Sequence, residues 1–153
     1  MSAVLPAMPL VQQGETCSRS VRFSRDDIAT FARLSGDSNP LHHDQQAAQR
    51  ARHGEIIASG EHTTAVLIGL ASSHFSQPDA NGPRELLCLN FNFAFKAPVF
   101  AEQAIVLSWK VASVEPQPRL GGLLVHLDGK AAVRHAKPSV VGRGTLLIKS
   151  ALA

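Results

Sequence analysis

The stretch Gly60–His74 constrains the fold more than any other part of this chain. It contains no proline, and Ala65, Val66, Leu67, Ile68, Leu70 and Ala71 make it apolar most of the way round. A helix of that kind has no natural solvent face and is expected to be buried. Ser59 stands where an N-cap is needed. The C-terminal half of the chain must then wrap this helix. After a turn-rich segment, Gln77–Arg84 with Pro78, Gly82 and Pro83, the texture changes to period two. Leu87, Leu89, Phe91, Phe93 and Phe95 alternate with Cys88, Asn90, Asn92, Ala94 and Lys96, so one apolar row is expected to face the core. Ala97-Pro98-Val99 bends or ends that strand. Ile105, Leu107, Trp109 and Val111 alternate again, Pro116–Gly122 reads as a turn, and two more strands fit Leu123–Val133 and Val140–Lys149. A buried helix and then four strands with short links predict an α+β layout, an antiparallel sheet wrapped around a central helix.

The part ahead of the helix is legible in pieces. Residues 1–17 alternate apolar and polar around Pro6, Pro9 and Gly14 and read as an extended, partly loose lead-in, with a single domain over 18–153. In Ser18–Ser24, Val21 and Phe23 fall on one side and Arg22 on the other, a strand pattern. Ser24 and Asp27 have the spacing of a capping box, and Ile28, Phe31 and Leu34 form the stripe expected to be buried. Gly36 fits a left-handed stop. Asp44 suits the N-cap of a short helix over Gln45–Arg52, and the basic cluster Arg50, Arg52 and His53 reads most simply as a solvated face.

Between those helices lies the most polar and most rigid loop of the chain. Ser35-Gly36-Asp37-Ser38-Asn39-Pro40-Leu41-His42-His43-Asp44 places an acid, an amide, a proline and an imidazole close together. Pro40 fixes its own φ and pushes Asn39 out of the helical region, so the loop should hold one shape. A carboxylate and an imidazole fixed in such a loop are what general acid–base chemistry requires. The ordinary alternative is an Asx turn closed by Asp37. A metal site built from His42, His43, Asp44 and His53 is a further alternative, but it lacks the helical spacing of zinc motifs. At the start of the Gly60 helix, backbone N–H groups without an internal partner face an anion-attracting end, suited to a developing oxyanion.

Composition removes several classes of function. The 153 residues carry a formal charge of +3 with Lys and Arg scattered, so nucleic acid is not the expected partner, while a phosphate-bearing small molecule or an acidic carrier suits the balance. Two cysteines, Cys17 and Cys88, make neither a disulfide framework nor a metal knuckle. No apolar run reaches membrane-spanning length and no charged leader precedes one, so a cytoplasmic protein without membrane partners is expected.

The run Ser-Gly-Asp-x-Asn-Pro-Leu-His-x-Asp from Ser35 to Asp44, preceded by the aromatic Phe31, resembles the signature of the MaoC-like, type-2 enoyl-CoA hydratases and acyl dehydratases. The likeness extends over roughly Ser18–Lys149 and is most specific in that loop and around Ile57–Leu70. It implies a hot-dog fold, homodimers or higher homo-oligomers, no metal or redox cofactor, and an acyl-CoA or acyl-carrier-protein thioester as substrate. It implies that Asp37 and His42 activate water for addition across the 2,3 double bond of an enoyl thioester, giving an (R)-3-hydroxyacyl product, or the reverse. Asn39 would orient the loop, and the Gly60 backbone N–H, with Ser59 beside it, would hold the thioester oxygen. Relatives commonly carry Ala-His-Gly where this chain has Ala58-Ser59-Gly60, and a bulky apolar residue at Glu61. Glu is at home in a first helical turn; facing an acyl tunnel, it implies a short or polar acyl chain. Two rivals stay open: an acyl-thioesterase of the same fold using Glu61, and a non-catalytic acyl-CoA-binding protein.

Overall fold

The computed structural model describes residues 9–78 and 82–151; residues 1–8 of the lead-in and 79–81 of the Gln77–Arg84 loop lie outside the described residues. Strand β1 (Thr16–Arg22) leads into helix α1 (Arg25–Ser35), a 3-10 turn at Pro40–His42, helix α2 (Gln45–Arg50) and helix α3 (Gly60–Ser76). Strands β2 (Arg84–Phe95), β3 (Ala104–Gln117), β4 (Gly122–Ala132) and β5 (Val140–Ser150) complete the order. Together they form one five-stranded sheet in the order β1-β3-β4-β5-β2, every neighbour antiparallel. The sheet packs on α3, as the apolar helix and the alternating strands require.

The core lies between that helix and the inner face of the sheet. Leu67, Leu70, Ala71 and Phe75 of α3 meet Ile105, Leu107, Val111, Leu127, Leu146 and Ile148 of the strands. Trp109 locks the two layers: 1% exposed, its Nε1–H donates to the Leu67 carbonyl at 2.7 Å. Its indole needs a glycine opposite it. A Cβ at Gly129, the cross-strand partner, would stand 2.3 Å from the ring. Gly142 and Gly144 leave the same room for Phe93 and Phe91, whose rings would lie 2.5 Å from a Cβ there.

Three expectations need correcting. The apolar row of β2 does not share one face, because the register against β5 shifts between Cys88 and Asn90. The bulge at Leu89 adds a residue and reverses the parity, so Phe91 and Phe93 point inward while Leu87 and Leu89 stay 59% and 50% exposed. On α1, Leu34 is 83% exposed, and the buried contacts fall on Ile28 and Ala32 with Phe31 half-buried. Pro116 lies inside β3, paired with Leu123, and the turn is the shorter Pro118–Leu120 segment closed by Gly121 at φ 67°.

The second half of the lead-in is docked. Val11 is 2% exposed, and the Gly14 N–H donates to the Val111 carbonyl at 2.8 Å. Beside it the far end of α3 is closed by Arg84. Its guanidinium donates to the carbonyls of His74 (2.9 Å), Gln77 (3.0 Å) and Leu10 (3.4 Å), and to the Glu15 carboxylate at 3.2 Å. His74 Nε2 meets the same Glu15 oxygen at 2.9 Å. One cation thereby satisfies the orphan carbonyls at a helix end and ties the entering chain to them.

Candidate active site

The polar loop is built as its residue types demand. The capping box at Ser24 and Asp27 opens α1, and Gly36, at φ 76°, closes it in the left-handed conformation. The Asp37 N–H returns to the Ala32 carbonyl at 2.8 Å. Asp37 then divides its carboxylate: Oδ1 accepts the Asn39 N–H at 3.0 Å, and Oδ2 lies 3.4 Å from His42 Nε2. The Asx turn and the acid–base pair are therefore both present in one side chain. Asn39 organises the loop, its Oδ1 accepting the Leu41 N–H at 3.1 Å and its carbonyl the His42 N–H at 3.1 Å.

His42 is 5% exposed and fixed by its other ring nitrogen, Nδ1, which donates to the Ile57 carbonyl at 2.7 Å. That bond places a proton on Nδ1, which in the neutral ring leaves the lone pair on Nε2, facing Asp37. It also staples the loop to the segment that opens α3, a link closed by the Ile57 N–H on the Leu41 carbonyl at 3.3 Å. Arg25 holds the same segment from α1 through an ion pair with Glu55 at 2.8 Å, and this hydrogen bond holds the Glu55 carboxyl below its usual range. The Ala58 N–H donates to the Val99 carbonyl at 2.8 Å.

Ser59 is the N-cap of α3, its Oγ accepting the His62 N–H at 3.2 Å and its carbonyl accepting those of His62 and Thr63. Among the described residues this leaves the Gly60 and Glu61 N–H groups as free donors of the helix start. Beside them a cavity of about 880 Å³ opens between the start of α3 and the end of β2. Ser59, Gly60, Glu61 and Thr64 line one wall, and Phe93, Phe95, Pro98 and Val99 the other. Asp37 and His42 are not among its lining residues; His42 is joined through its Nδ1 to the carbonyl of Ile57, which is. The absent side chain at Gly60 makes room first for Phe95, whose ring carbon Cε1 would come within 2.6 Å of a Cβ. That long-range contact, which no local pattern signals, was not legible in the sequence.

Nor was the surrounding of His62. Its ring is stacked between Phe23 (4.1 Å between centroids) and Phe31 (4.5 Å), 7% exposed, with Nδ1 unpaired. Burial pulls its pKa down, against Asp27 and with His42. The rival ligand set is dispersed: Asp44 caps α2 through the Ala47 N–H, and among the described residues no cluster of three or more His, Cys, Asp or Glu side chains is placed to hold a metal. Of the cations that charge alone would suggest for a phosphate, Arg84 is committed to the far helix end and Arg143 lies on the outer sheet face, 3.6 Å from Asp128. Lys96 lines the cavity.

Residues 8–118 match the family model of the MaoC like domain. Among curated proteins, a 3-hydroxybutyryl-CoA dehydratase of Methylorubrum extorquens is 28% identical over 122 residues, 74% of each chain. A mitochondrial 3-hydroxyacyl-[acyl-carrier-protein] dehydratase of Solanum lycopersicum is 24% identical over 141 residues, 92% of this chain and 79% of that one. Among solved structures, the unliganded R-hydratase PhaJ1 of Pseudomonas aeruginosa superposes with a TM-score of 0.75 at 22% identity, covering 93% of this chain and 86% of that one. The fold is thus the hot-dog fold, and the class is that of hydro-lyase enzymes. The chain belongs to the MaoC-like dehydratase family.

Proposed function

We propose that the protein adds water to the 2,3 double bond of an enoyl thioester, or removes it, with Asp37 and His42 as the acid–base pair and the Gly60 N–H as the oxyanion donor. The observation that carries this reading is the 3.4 Å separation of Asp37 Oδ2 and His42 Nε2, with the imidazole's other nitrogen anchored on Ile57. Two acceptors at that spacing take the two O–H bonds of one water and leave its lone pair directed outward. As the water oxygen bonds to C3, one acceptor takes a proton, the electron pair moves to the thioester oxygen, and that oxygen finds a donor at the helix start. Collapse of the enolate returns a proton to C2. Water and proton delivered from one side make the addition syn; the face of the double bond turned to the pair decides the configuration, and the (R)-3-hydroxyacyl product is the one the name of the Pseudomonas R-hydratase favours. Asn39 shapes the loop and Ser59 the helix start; neither moves protons.

Glu61 faces the cavity from the first turn of α3, which favours a short or polar acyl group. A Glu61→Leu variant with an unchanged chain-length preference would count against this. The protein works as a homodimer formed through β2, an edge strand with Leu87, Leu89 and Phe95 exposed. Its carrier is coenzyme A or an acyl carrier protein, and its two free cysteines suit the cytoplasm. No helix among the described residues is long and apolar enough to cross a membrane.

The test tracks the enoyl absorbance of crotonyl-CoA while trapping free thiol. Enoyl loss without thiol release, reduced by roughly 10²-fold or more in both Asp37→Asn and His42→Ala, is the expected result. Thiol release would replace this reading with a thioesterase, and binding without either signal with a carrier of acyl groups.

A further inference from the structure

The outer face of the sheet carries a row of polar side chains that the acid–base chemistry of the loop does not use. Val125, Leu127 and Leu146 face inward and are buried, so the residues alternating with them on β4 and β5 point away from α3. His126 of β4 and Thr145 of β5 are register partners on that outer face. The Thr145 Oγ1 lies 3.1 Å from His126 Nδ1, and the Glu115 Oε2 of β3 lies 3.2 Å from His126 Nε2. These two partners fix the tautomer of the neutral ring. An ionised carboxylate only accepts, so Nε2 carries the proton and donates it to Glu115. Nδ1 then keeps its lone pair and accepts from the Thr145 hydroxyl. A hydroxyl donating to an imidazole whose other nitrogen is oriented by a carboxylate is the arrangement that activates an oxygen nucleophile. Thr145 also stands beside open space and donors. Asn90, its partner across the β2–β5 ladder, and Arg143, two positions along β5, line a depression of about 1040 Å³ on this face. Arg143 is loosely held, 3.6 Å from Asp128 with its side chain 88% exposed. An amide and a guanidinium are therefore at the side of Thr145, donors suited to a developing oxyanion.

We propose that Thr145, His126 and Glu115 form a second site, on the outer sheet face, in which Thr145 is the nucleophile toward activated carboxylic esters. The row is turned away from α3, so the site stands apart from the cavity beside Gly60. Thr145 Oγ1 bonds to the ester carbonyl carbon while His126 Nδ1 takes the hydroxyl proton, and Glu115 holds the imidazolium that forms. The bond from that carbon to the leaving oxygen then breaks, its electron pair staying on the leaving oxygen. The leaving group takes the proton back from His126, or departs as the anion while the proton passes to solvent. Water, activated in turn by His126 Nδ1, hydrolyses the acyl-Thr145 ester, releasing the acid and restoring the hydroxyl. The reaction needs only the ester and water.

The experiment follows nitrophenolate release from p-nitrophenyl acetate by the full chain, with acid-quenched samples digested by trypsin. Cleavage after Arg143 and Lys149 yields the peptide Gly144–Lys149, in which Thr145 carries the one hydroxyl. Thr145→Val and His126→Gln should each slow release roughly 10²-fold, Glu115→Gln should slow it less, and Thr145→Ser should retain it. The acetyl group should be found on Gly144–Lys149 of the wild type and be missing from that peptide in Thr145→Val. The His126 and Glu115 side chains are 36% and 61% exposed, and an ion pair so exposed contributes little to stability, so these variants test chemistry and not folding. Release that persists in Thr145→Val but falls in His126→Gln would make the imidazole the nucleophile and overturn the proposal. Equal release by the wild type and all variants, or acetylation confined to lysines, would overturn it as well. The probe contains no enoyl group, so the outcome is independent of the proposed hydration.

Discussion

The Gly60→Ala variant separates the chemistry of the helix start from its packing. The added Cβ would stand 2.6, 2.8 and 3.0 Å from three ring atoms of Phe95, where ordinary carbon contacts are about 3.5–4.0 Å. The ring must therefore retreat by roughly 1 Å. Within one chain it has room to do so, since Phe95 is 60% exposed there, and the backbone at Gly60 is not in the left-handed region, so alanine brings no strain of its own. Losing part of one exposed ring contact costs less than about 1 kcal/mol, and alanine restricts the unfolded chain by roughly 0.4–1 kcal/mol in the opposite direction. The net change in stability should be close to zero. Activity should not stay with it. The methyl and the displaced ring both enter the space from which a thioester reaches the Gly60 N–H, and loss of one such donor costs about 10²–10³ in kcat, or roughly 2.7–4 kcal/mol. Urea unfolding reads the first quantity and crotonyl-CoA turnover the second. Adding Phe95→Ala to Gly60→Ala should restore part of the rate if the ring is the obstacle. A Gly60→Ala protein of wild-type stability that keeps kcat/KM within about threefold of wild type would remove Gly60 from the mechanism.

Other substitutions probe the frame. Gly129→Ala presents the opposite case to Gly60→Ala: its Cβ would lie 2.3 Å from the Trp109 ring, which is buried and bonded to Leu67, so about 2–3 kcal/mol of stability should be lost in urea melts. Arg84→Met removes a cation whose side chain is 4% exposed and leaves Glu15 and two helix-end carbonyls short of a donor; about 3 kcal/mol, or roughly 6–12 °C in Tm, should be lost, with kcat per folded molecule unchanged. A shift under about 2 °C would show the clamp to be incidental. His62 titrates below its unfolded value, so the unfolded chain binds more protons as pH falls through the ordinary histidine range. Stability should therefore be intact above that range and decline from about pH 7 towards pH 5. His62→Phe, which keeps the stack on Phe23 and Phe31, should flatten that slope relative to wild type; parallel slopes would contradict the assignment.

How far the sequence could be read depends on where the determining contacts lie. The Ser24 capping box, the Gly36 stop, the Ser59 cap and the inward row of β3 depend on neighbours a few positions away, and each is found as expected. Leu87 and Leu34 went astray for different physical reasons. One extra residue at Leu89 inverts a period-two pattern without changing its composition. On α1 the packing partner settles along Ile28 and Ala32, leaving Leu34 beyond the contact. Within the candidate site, the grouping of Asp37, Asn39 and His42 was legible because one rigid loop carries them. The Phe95 ring over Gly60 was not, because the packing of β2 against the start of α3 decides it.

The two ends of α3 sit in different environments. At the C-terminal end Arg84 uses a buried guanidinium to satisfy carbonyls and bind the lead-in. At the N-terminal end Ser59 takes the His62 and Thr63 N–H groups, while among the described residues Gly60 and Glu61 keep theirs free beside the cavity. Asp44 caps α2 at the same position, the N–H of the third helical residue, so open first-turn donors are common to both helices and what distinguishes α3 is the cavity beside its donors. The cost of leaving them open is tolerable because Trp109, hydrogen-bonded to Leu67 in mid-helix, and the clamp at Arg84 hold the helix elsewhere. Rigidity at the middle and far end lets the near end present free donors without losing its position. The same division explains why Gly60→Ala should separate activity from stability while Arg84→Met should do the reverse.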